Sequence, residues 1–282
     1  MMKKGSEMTQ ITMAWLYEIM VVLYATGIVF YFIDFFYKRV KIRRFGFWLI
    51  SIVWVLQTIF FLLYIVETKR FPILSLTEGI YFYAWLLVTL SILLHCIARV
   101  DLPVFFINVL GFIFVTIHLF APNHVQNPLV KSLESEMLFI HISFAILSYA
   151  AFSLSFVFSV LYLILYSLLK KKKYTKLWSR LPDLHQTSRW MFYSILVGVP
   201  IIFISLLLGL EWAFLKLDAL SIFDVKILGS FVITIIYLLI LVLHHSGKLT
   251  GLNFAWAQIY TFLLVVINFF LGSKLSNFHI WY

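Results

Sequence analysis

Two histidines of this 282-residue chain, His141 and His279, are the best candidates for metal chemistry. His141 lies near the start of a long apolar run, and His279 is among the last four residues. Two neutral imidazoles on opposite faces of a haem iron complete an axial ligand pair. The aromatic residues Phe278, Trp281 and Tyr282 favour an interfacial position for the tail. One alternative stays open, in which His279 is an interfacial polar residue and His141 a hydrogen-bonded helix residue.

We predict structural roles for the other six histidines. Consecutive residues point about 100° apart on a helix, so the adjacent pair His244 and His245 cannot hold one metal together. The remaining four stand alone in the sequence: His95, His118, His124 and His185. The sequence contains no Ser-His-Asp set, HExxH motif, glycine-rich phosphate loop or paired carboxylates at catalytic spacing. We therefore predict that the protein is not an enzyme.

The composition places these residues in a membrane. Apolar residues make up 63% of the chain and charged residues 12%, whereas a soluble domain has roughly 45–50% and about 25%. A soluble core cannot bury that much apolar surface, which excludes a water-soluble globule and a disordered chain. A single cysteine also excludes a disulfide scaffold. Every apolar run is continuous rather than alternating, so we predict an all-α polytopic transmembrane bundle.

Eight apolar runs reach or approach membrane-spanning length. We predict spans at about 13–37, 47–66, 80–98, 102–120, 137–169, 190–214, 225–244 and 254–272. The fifth, with about 33 residues, would be roughly 50 Å long as a helix, against a hydrocarbon core of about 30 Å. We expect it to project beyond the membrane or to tilt strongly.

The distribution of lysine and arginine predicts the orientation. These residues concentrate in the loops after the first, third, fifth and seventh spans, above all in 38–44 and 170–189. The richer side is cytoplasmic by the positive-inside rule, so both termini lie outside. The net charge of +10 then reflects topology and contact with the lipid bilayer, and we expect no nucleic-acid partner. His141 and His279 both fall at the outer surface, where they can meet if the tail folds back over the bundle.

We interpret the chain as one integral membrane domain, 1–282, with a basic cytoplasmic loop at 170–190 and an outer C-terminal tail at 273–282. The basic loop is most simply a topology signal and a contact for anionic lipids. A docking surface for a soluble partner is the sharper alternative.

Four stretches in order along the chain form a recognisable pattern. They are FPILSLTE at 71–78, His141 with LSYAA at 147–151, a segment from GVP to GLEW at 198–212, and VIN at 266–268 with the terminal His279. Together these stretches resemble the cytochrome c assembly family, the haem-handling CcsA/CcmC-like membrane proteins, and most closely its HemX branch. The resemblance covers nearly the whole length.

The resemblance implies that His141 and His279 match the family's two external axial histidines and bind a b-type haem. The haem-delivery members carry a tryptophan-rich WWD loop. The corresponding stretch here, 215–226, has no tryptophan, and only Asp224 and Lys226 match the WDxKE end of that motif. These differences fit the HemX branch, which lacks the WWD loop.

The resemblance also implies a function. It indicates a haem-binding, multi-pass protein of the bacterial plasma membrane that regulates tetrapyrrole (haem) biosynthesis. Such a protein would lower the level of glutamyl-tRNA reductase, its expected cytoplasmic partner. Two alternatives stay open: a component of haem transport or cytochrome c assembly, and a membrane adaptor whose histidines are structural.

Overall fold

The structure, a computed structural model, describes residues 2–37, 39–98, 101–120, 135–171, 182–216 and 224–272. All regular secondary structure in these residues is helical. The helices are α1 (Met2–Tyr37), α2 (Val40–Thr68), α3 (Leu76–Ala98), α4 (Asp101–Phe120), α5 (Glu136–Lys170), α6 (Leu184–Lys216), α7 (Val225–His245) and α8 (Gly251–Ile267), followed by a π-helical turn (Asn268–Gly272). Each of these eight helices is long and apolar enough to cross a membrane. The protein is therefore a multi-pass membrane protein in contact with the lipid bilayer.

The eight predicted spans are confirmed as helices, and the placement of both termini outside stays a prediction. Three helices begin clearly earlier than predicted: α1 at Met2, α2 at Val40 and α6 at Leu184, the last inside the stretch assigned above to the basic loop. Asp183 precedes α6: its Oδ1 accepts the backbone N–H of His185 at 3.4 Å, and its carbonyl accepts the backbone N–H of Thr187 at 2.9 Å as the first helical bond. This local capping starts the helix in a polar stretch, before the apolar run begins. Residues 172–181 of the loop and the tail 273–282 lie outside the described residues.

Contacts divide the chain into two compact units, Met1–Arg70 with Ala84–Ala121 and Phe71–Tyr83 with Pro122–Tyr282. Helix α3 contributes its first residues to the second unit and its remainder to the first. In the first unit, α1 packs against α2 and α4. An ion pair between Arg43 and Asp101, 2.6 Å apart, connects α2 to α4.

The second unit is built around α5, which packs against α6 and α8. Two glycines of α6 each make room for a ring of α5. A Cβ atom at Gly198 would lie 2.5 Å from Cε1 of Phe152, and one at Gly209 would lie 2.5 Å from Cε1 of His141. The two rings are eleven residues apart, as are the two glycines, which is close to three helical turns. These contacts hold α5 and α6 antiparallel in one register.

The FPILSLTE stretch forms the entrance to α3. Glu78 N–H donates to Ser75 Oγ at 3.2 Å, and Ser75 N–H donates to Glu78 Oε2 at 3.1 Å, which is a reciprocal capping box. Phe71 packs edge-on against Phe139 of α5, with ring centroids 5.0 Å apart. This motif therefore starts α3 and attaches it to α5 within the second unit.

Candidate functional site

His141 lies in the second turn of α5 and faces α6. Ser135 is the N-cap of the helix, and its hydroxyl accepts the backbone N–H of Leu138 at 3.2 Å. Because the cap fixes where the helix begins, it also fixes the position of His141 in the helix. Ser205 and Gly209 stand opposite it, one turn apart on α6. We call His141, Ser205 and Gly209 the His141 notch.

Two opposed hydrogen bonds join His141 to Ser205. Nδ1 of the imidazole lies 2.7 Å from the carbonyl oxygen of Ser205, and Ser205 Oγ donates to the carbonyl oxygen of His141 at 2.7 Å. Because a carbonyl oxygen can only accept, a neutral imidazole here carries its proton on Nδ1. Nε2 then holds the lone pair, and within the described residues it forms no hydrogen bond.

Gly209 leaves the space that the imidazole occupies. A Cβ atom at this position would lie 2.5 Å from Cε1, 2.6 Å from Nδ1 and 3.1 Å from Nε2 of His141. Glycine is therefore the residue type that lets the two helices approach with the ring between them. The sequence pattern did not single out Ser205, and it included Gly209 only within a longer motif. Small residues one turn apart in an apolar helix are the signal that could have identified both.

The notch fits axial ligation of haem. A metal-ligating histidine usually donates its other ring N–H to a carbonyl or carboxylate, which sets the tautomer and the ring orientation. The bond from Nδ1 to Ser205 has this form and leaves Nε2 as the ring nitrogen that could coordinate a metal. A porphyrin supplies four nitrogens, so one imidazole on each face is enough. Within the described ranges no three His, Cys, Asp or Glu side chains gather to hold a metal ion without a porphyrin.

His279, the second predicted ligand, lies outside the described residues, so its pairing with His141 stays a prediction. The last described residues, Asn268–Gly272, form the π-helical turn directly before the 273–282 tail. Such turns are rare and are frequent at functional sites.

A second polar group lies at the start of α7. Lys226 is only 8% exposed, and its Nζ lies 5.9 Å from the centroid of the Phe269 ring. Asn268 Nδ2 donates to Ser230 Oγ at 3.0 Å, and Ser230 Oγ donates to the Lys226 carbonyl at 2.8 Å. We call Lys226, Ser230, Asn268 and Phe269 the Lys226 cluster. The VIN motif thus contributes an interhelical hydrogen bond between the π-helical turn and α7.

One ring contact places the Lys226 cluster against α5, the helix that carries His141. Phe269 packs edge-on against Tyr149 of α5, with ring centroids 6.2 Å apart, about two turns along the helix from His141. A buried cation and an oriented imidazole therefore occupy the same end of this unit.

Other described histidines have aromatic neighbours. In the first unit, His95 stacks on Phe47 with ring centroids 4.4 Å apart, and His118 lies 5.5 Å from the ring of Tyr17. These contacts fit the structural roles expected for them. His124 lies outside the described residues.

Comparison with known proteins identifies the family. The profile of the family described as "Cytochrome C assembly protein" matches residues 73–279, a range that contains both His141 and His279. The chain belongs to the cytochrome c assembly protein family. Within this family it is similar to "Protein HemX" of Bacillus subtilis, with 46% identity over 276 residues, 98% of this chain and 100% of the relative.

Two further relatives extend this comparison. "Protein HemX" of Brevibacillus brevis is 36% identical over 268 residues, 95% of this chain and 98% of the relative. "Cytochrome c biogenesis protein CcsA" of Gloeobacter violaceus is 34% identical over 102 residues, 35% of this chain and 30% of the relative. The two nearly full-length matches confirm the predicted resemblance to the HemX branch of the cytochrome c assembly family.

Proposed function

We propose that this member of the HemX branch is a haem-binding regulator in the bacterial plasma membrane, without enzymatic activity. It would lower the level of glutamyl-tRNA reductase and so control tetrapyrrole synthesis. The observation that carries the haem part is the His141 notch, in which the bond from Nδ1 to Ser205 leaves Nε2 for a metal. Two relatives named HemX, each matched over nearly its whole length, support the regulatory part.

In this proposal His141 and His279 hold haem from opposite faces. His141 and His279 would each give an imidazole nitrogen to the iron of the haem. Ser205 and Gly209 orient the His141 ring before any ligand arrives, so binding need not immobilise this side chain and loses less entropy.

Regulation further requires that the haem site be coupled to the cytoplasmic surface. Helix α5 runs without interruption from Glu136 to Lys170, about 50 Å at 1.5 Å per residue. It carries His141 near one end and leads into the basic segment 170–189 at the other. This segment is the surface we propose for contact with the reductase. Haem can bias that contact only if it binds two arrangements of the bundle with different affinity.

Absorption spectroscopy of the purified protein tests haem binding. Wild-type protein should take up added haemin with a bis-histidine Soret spectrum, and His141→Ala and His279→Ala should each lose it. His185→Ala, at an exposed histidine of α6, is the matched control and should bind as wild type does. A wild-type protein that takes up no haemin contradicts haem binding, and an unchanged His279→Ala spectrum contradicts the axial pair.

The regulatory part is tested by the reductase level in cells. Deleting the gene should raise glutamyl-tRNA reductase on an immunoblot, and the wild-type chain should restore the lower level whereas His141→Ala should not. If His141→Ala restores control fully, the histidines are structural and the adaptor alternative holds. Neutralising the lysines at 170–173 would then abolish control.

A role in haem transport or cytochrome c assembly is the second candidate. The family description and the 102-residue match to CcsA favour it. Haem staining of membranes from the deletion strain separates the two proposals. Normal c-type cytochromes are expected of a regulator, and their loss is expected of an assembly component.

A further inference from the structure

The first two turns of α2 carry charged and aromatic side chains on two different faces. One face turns toward the interior of the first unit, where Arg43 forms the ion pair with Asp101 at 2.6 Å. Phe47, one turn further on, belongs to the same face, since its ring stacks on His95 of α3 with centroids 4.4 Å apart. Packing within the first unit therefore accounts for Arg43 and Phe47.

The opposite face of the same two turns is exposed. Residues three, four and seven apart share one face of a helix, and this spacing connects Lys41, Arg44, Phe45 and Trp48. All four are exposed, Phe45 by 65% and Trp48 by 60%. Neither Lys41 nor Arg44 forms an ion pair with another residue that the structure describes. We call these four residues the Lys41 stripe.

The position of the Lys41 stripe along α2 sets its depth in the bilayer. The apolar run of this helix begins at about residue 47, so Trp48 lies at the boundary between hydrocarbon and headgroups, where tryptophan is enriched. Arg44 and Lys41 lie roughly 6 and 10 Å further along the axis, at the level of the headgroups. The positive-inside rule accounts for basic residues on this side of the membrane, but not for their alignment with two exposed aromatic rings.

We propose that the Lys41 stripe binds an anionic phospholipid. The phosphate of the headgroup would lie between Lys41 and Arg44, because an ammonium and a guanidinium one turn apart can donate to oxygens of the same phosphate. Phe45 and Trp48 would contact the glycerol and the first carbons of the acyl chains. The two free cations select an anionic lipid from the lipids of the bilayer, and the two rings favour a lipid over a soluble acidic protein.

Fluorescence quenching by brominated phospholipids tests the proposal, because bromine quenches tryptophans that it contacts. Purified wild-type protein and Trp48→Phe are each placed in phosphatidylcholine vesicles that contain the same share of brominated phosphatidylglycerol or of brominated phosphatidylcholine. The difference between the two proteins gives the quenching of Trp48 alone. The affinity of this position for the anionic lipid should be about fivefold higher, the factor that one basic residue near the membrane surface contributes.

A charge-matched pair of variants locates this preference. Lys41→Gln/Arg44→Gln should remove it and leave quenching by brominated phosphatidylcholine unchanged. Lys69→Gln/Lys248→Gln also removes two exposed lysines, both of them away from the stripe, and should keep the fivefold preference. Each variant is compared with the same variant carrying Trp48→Phe.

Three outcomes would overturn the proposal. Equal quenching by the two lipids in wild-type protein, or a preference that persists in Lys41→Gln/Arg44→Gln, refutes an anionic-lipid site. If neither lipid quenches Trp48, the stripe is covered by protein instead. The wild-type comparison decides the question even if the double variant does not fold, and a thermal melt in detergent identifies that case.

Discussion

Two histidines of the second unit share one interaction and differ in their surroundings. His141 places Nδ1 2.7 Å from the carbonyl of Ser205, and His244 places Nδ1 2.8 Å from the carbonyl of Leu249. Leu249 is five residues from His244 in the connection between α7 and α8, whereas Ser205 is 64 residues from His141 on a neighbouring helix. The His244 bond closes a local turn, and the His141 bond joins two helices.

The neighbours of each ring separate the two roles. The His244 ring stacks on Phe254 with centroids 3.9 Å apart, and Phe192 lies 5.3 Å away, so it packs as a core side chain does. The His141 ring lies against Gly209, in the same end of the unit as the buried Lys226. A hydrogen-bonded Nδ1 therefore does not identify a ligand by itself, and the aromatic rings packed against His244 are what distinguish its surroundings from those of His141.

Among changes that keep the His141 imidazole, the largest effect on haemin affinity is expected from adding one methyl group to the notch. Gly209→Ala places a Cβ atom 2.5 Å from the His141 ring, so the imidazole must move out of its orientation. Haemin affinity should fall about 100-fold, the upper end of what loss of orienting groups costs a metal site. Absorption titration of the variant measures this.

The matched control is Gly79→Ala in α3 of the same unit. A Cβ atom there would meet only Ile146 Cδ1, at an ordinary contact distance of 3.6 Å. Its haemin affinity should stay within about twofold of wild type, because a substitution that disturbs no packed contact has a small effect. Wild-type binding by Gly209→Ala would show that the imidazole does not occupy the notch when it binds haem.

Replacing His244 tests the other side of the comparison. His244→Leu removes the bond to Leu249 and the stacking on Phe254, so the free energy of unfolding should fall by about 1–2 kcal/mol. A lower melting temperature in detergent would report this, with haemin affinity unchanged. His141→Ala should show the reverse pattern. Loss of haemin binding in a folded His244→Leu protein would contradict a purely structural role for His244.

The fold could be predicted from the sequence because its signal is local. A continuous apolar run of about 20 residues has few stable forms other than a spanning helix. The start of α6 could not be predicted in this way, since Leu184 lies in a polar stretch and the helix begins there because the Asp183 side chain accepts the backbone N–H of His185. The π-helical turn at Asn268 was also missed, because it accompanies a bond to Ser230 on another helix.

Only part of the candidate site could be predicted from the sequence, for the same reason. His141 could be named from its residue type and position, since few other side chains ligate haem. Ser205 and Gly209 could not, because their role depends on the register of α5 against α6. That register is set by ring-to-glycine contacts, such as that of Phe152 with Gly198, which depend on three-dimensional packing.

Within the His141 notch, the smaller effect on haemin affinity is expected from Ser205→Ala. This change removes the Oγ bond to the His141 carbonyl at 2.7 Å and the Oγ contact with Nδ1 at 3.1 Å. The backbone carbonyl of residue 205 remains and still accepts the Nδ1 proton. Haemin affinity should therefore fall about tenfold, the lower end for loss of an orienting partner, and the bis-histidine spectrum should persist.

Ser194→Ala on the same helix provides the control. Its hydroxyl is also buried, yet it donates only to Trp190 O within α6, at 2.7 Å, so haemin affinity should not change. If Ser205→Ala were as damaging as His141→Ala, the hydroxyl rather than the carbonyl would orient the ring. If it had no effect at all, the carbonyl and Gly209 alone would suffice to hold the imidazole. The size of the Ser205 effect therefore measures how much of the orientation of His141 comes from the side chain of its partner.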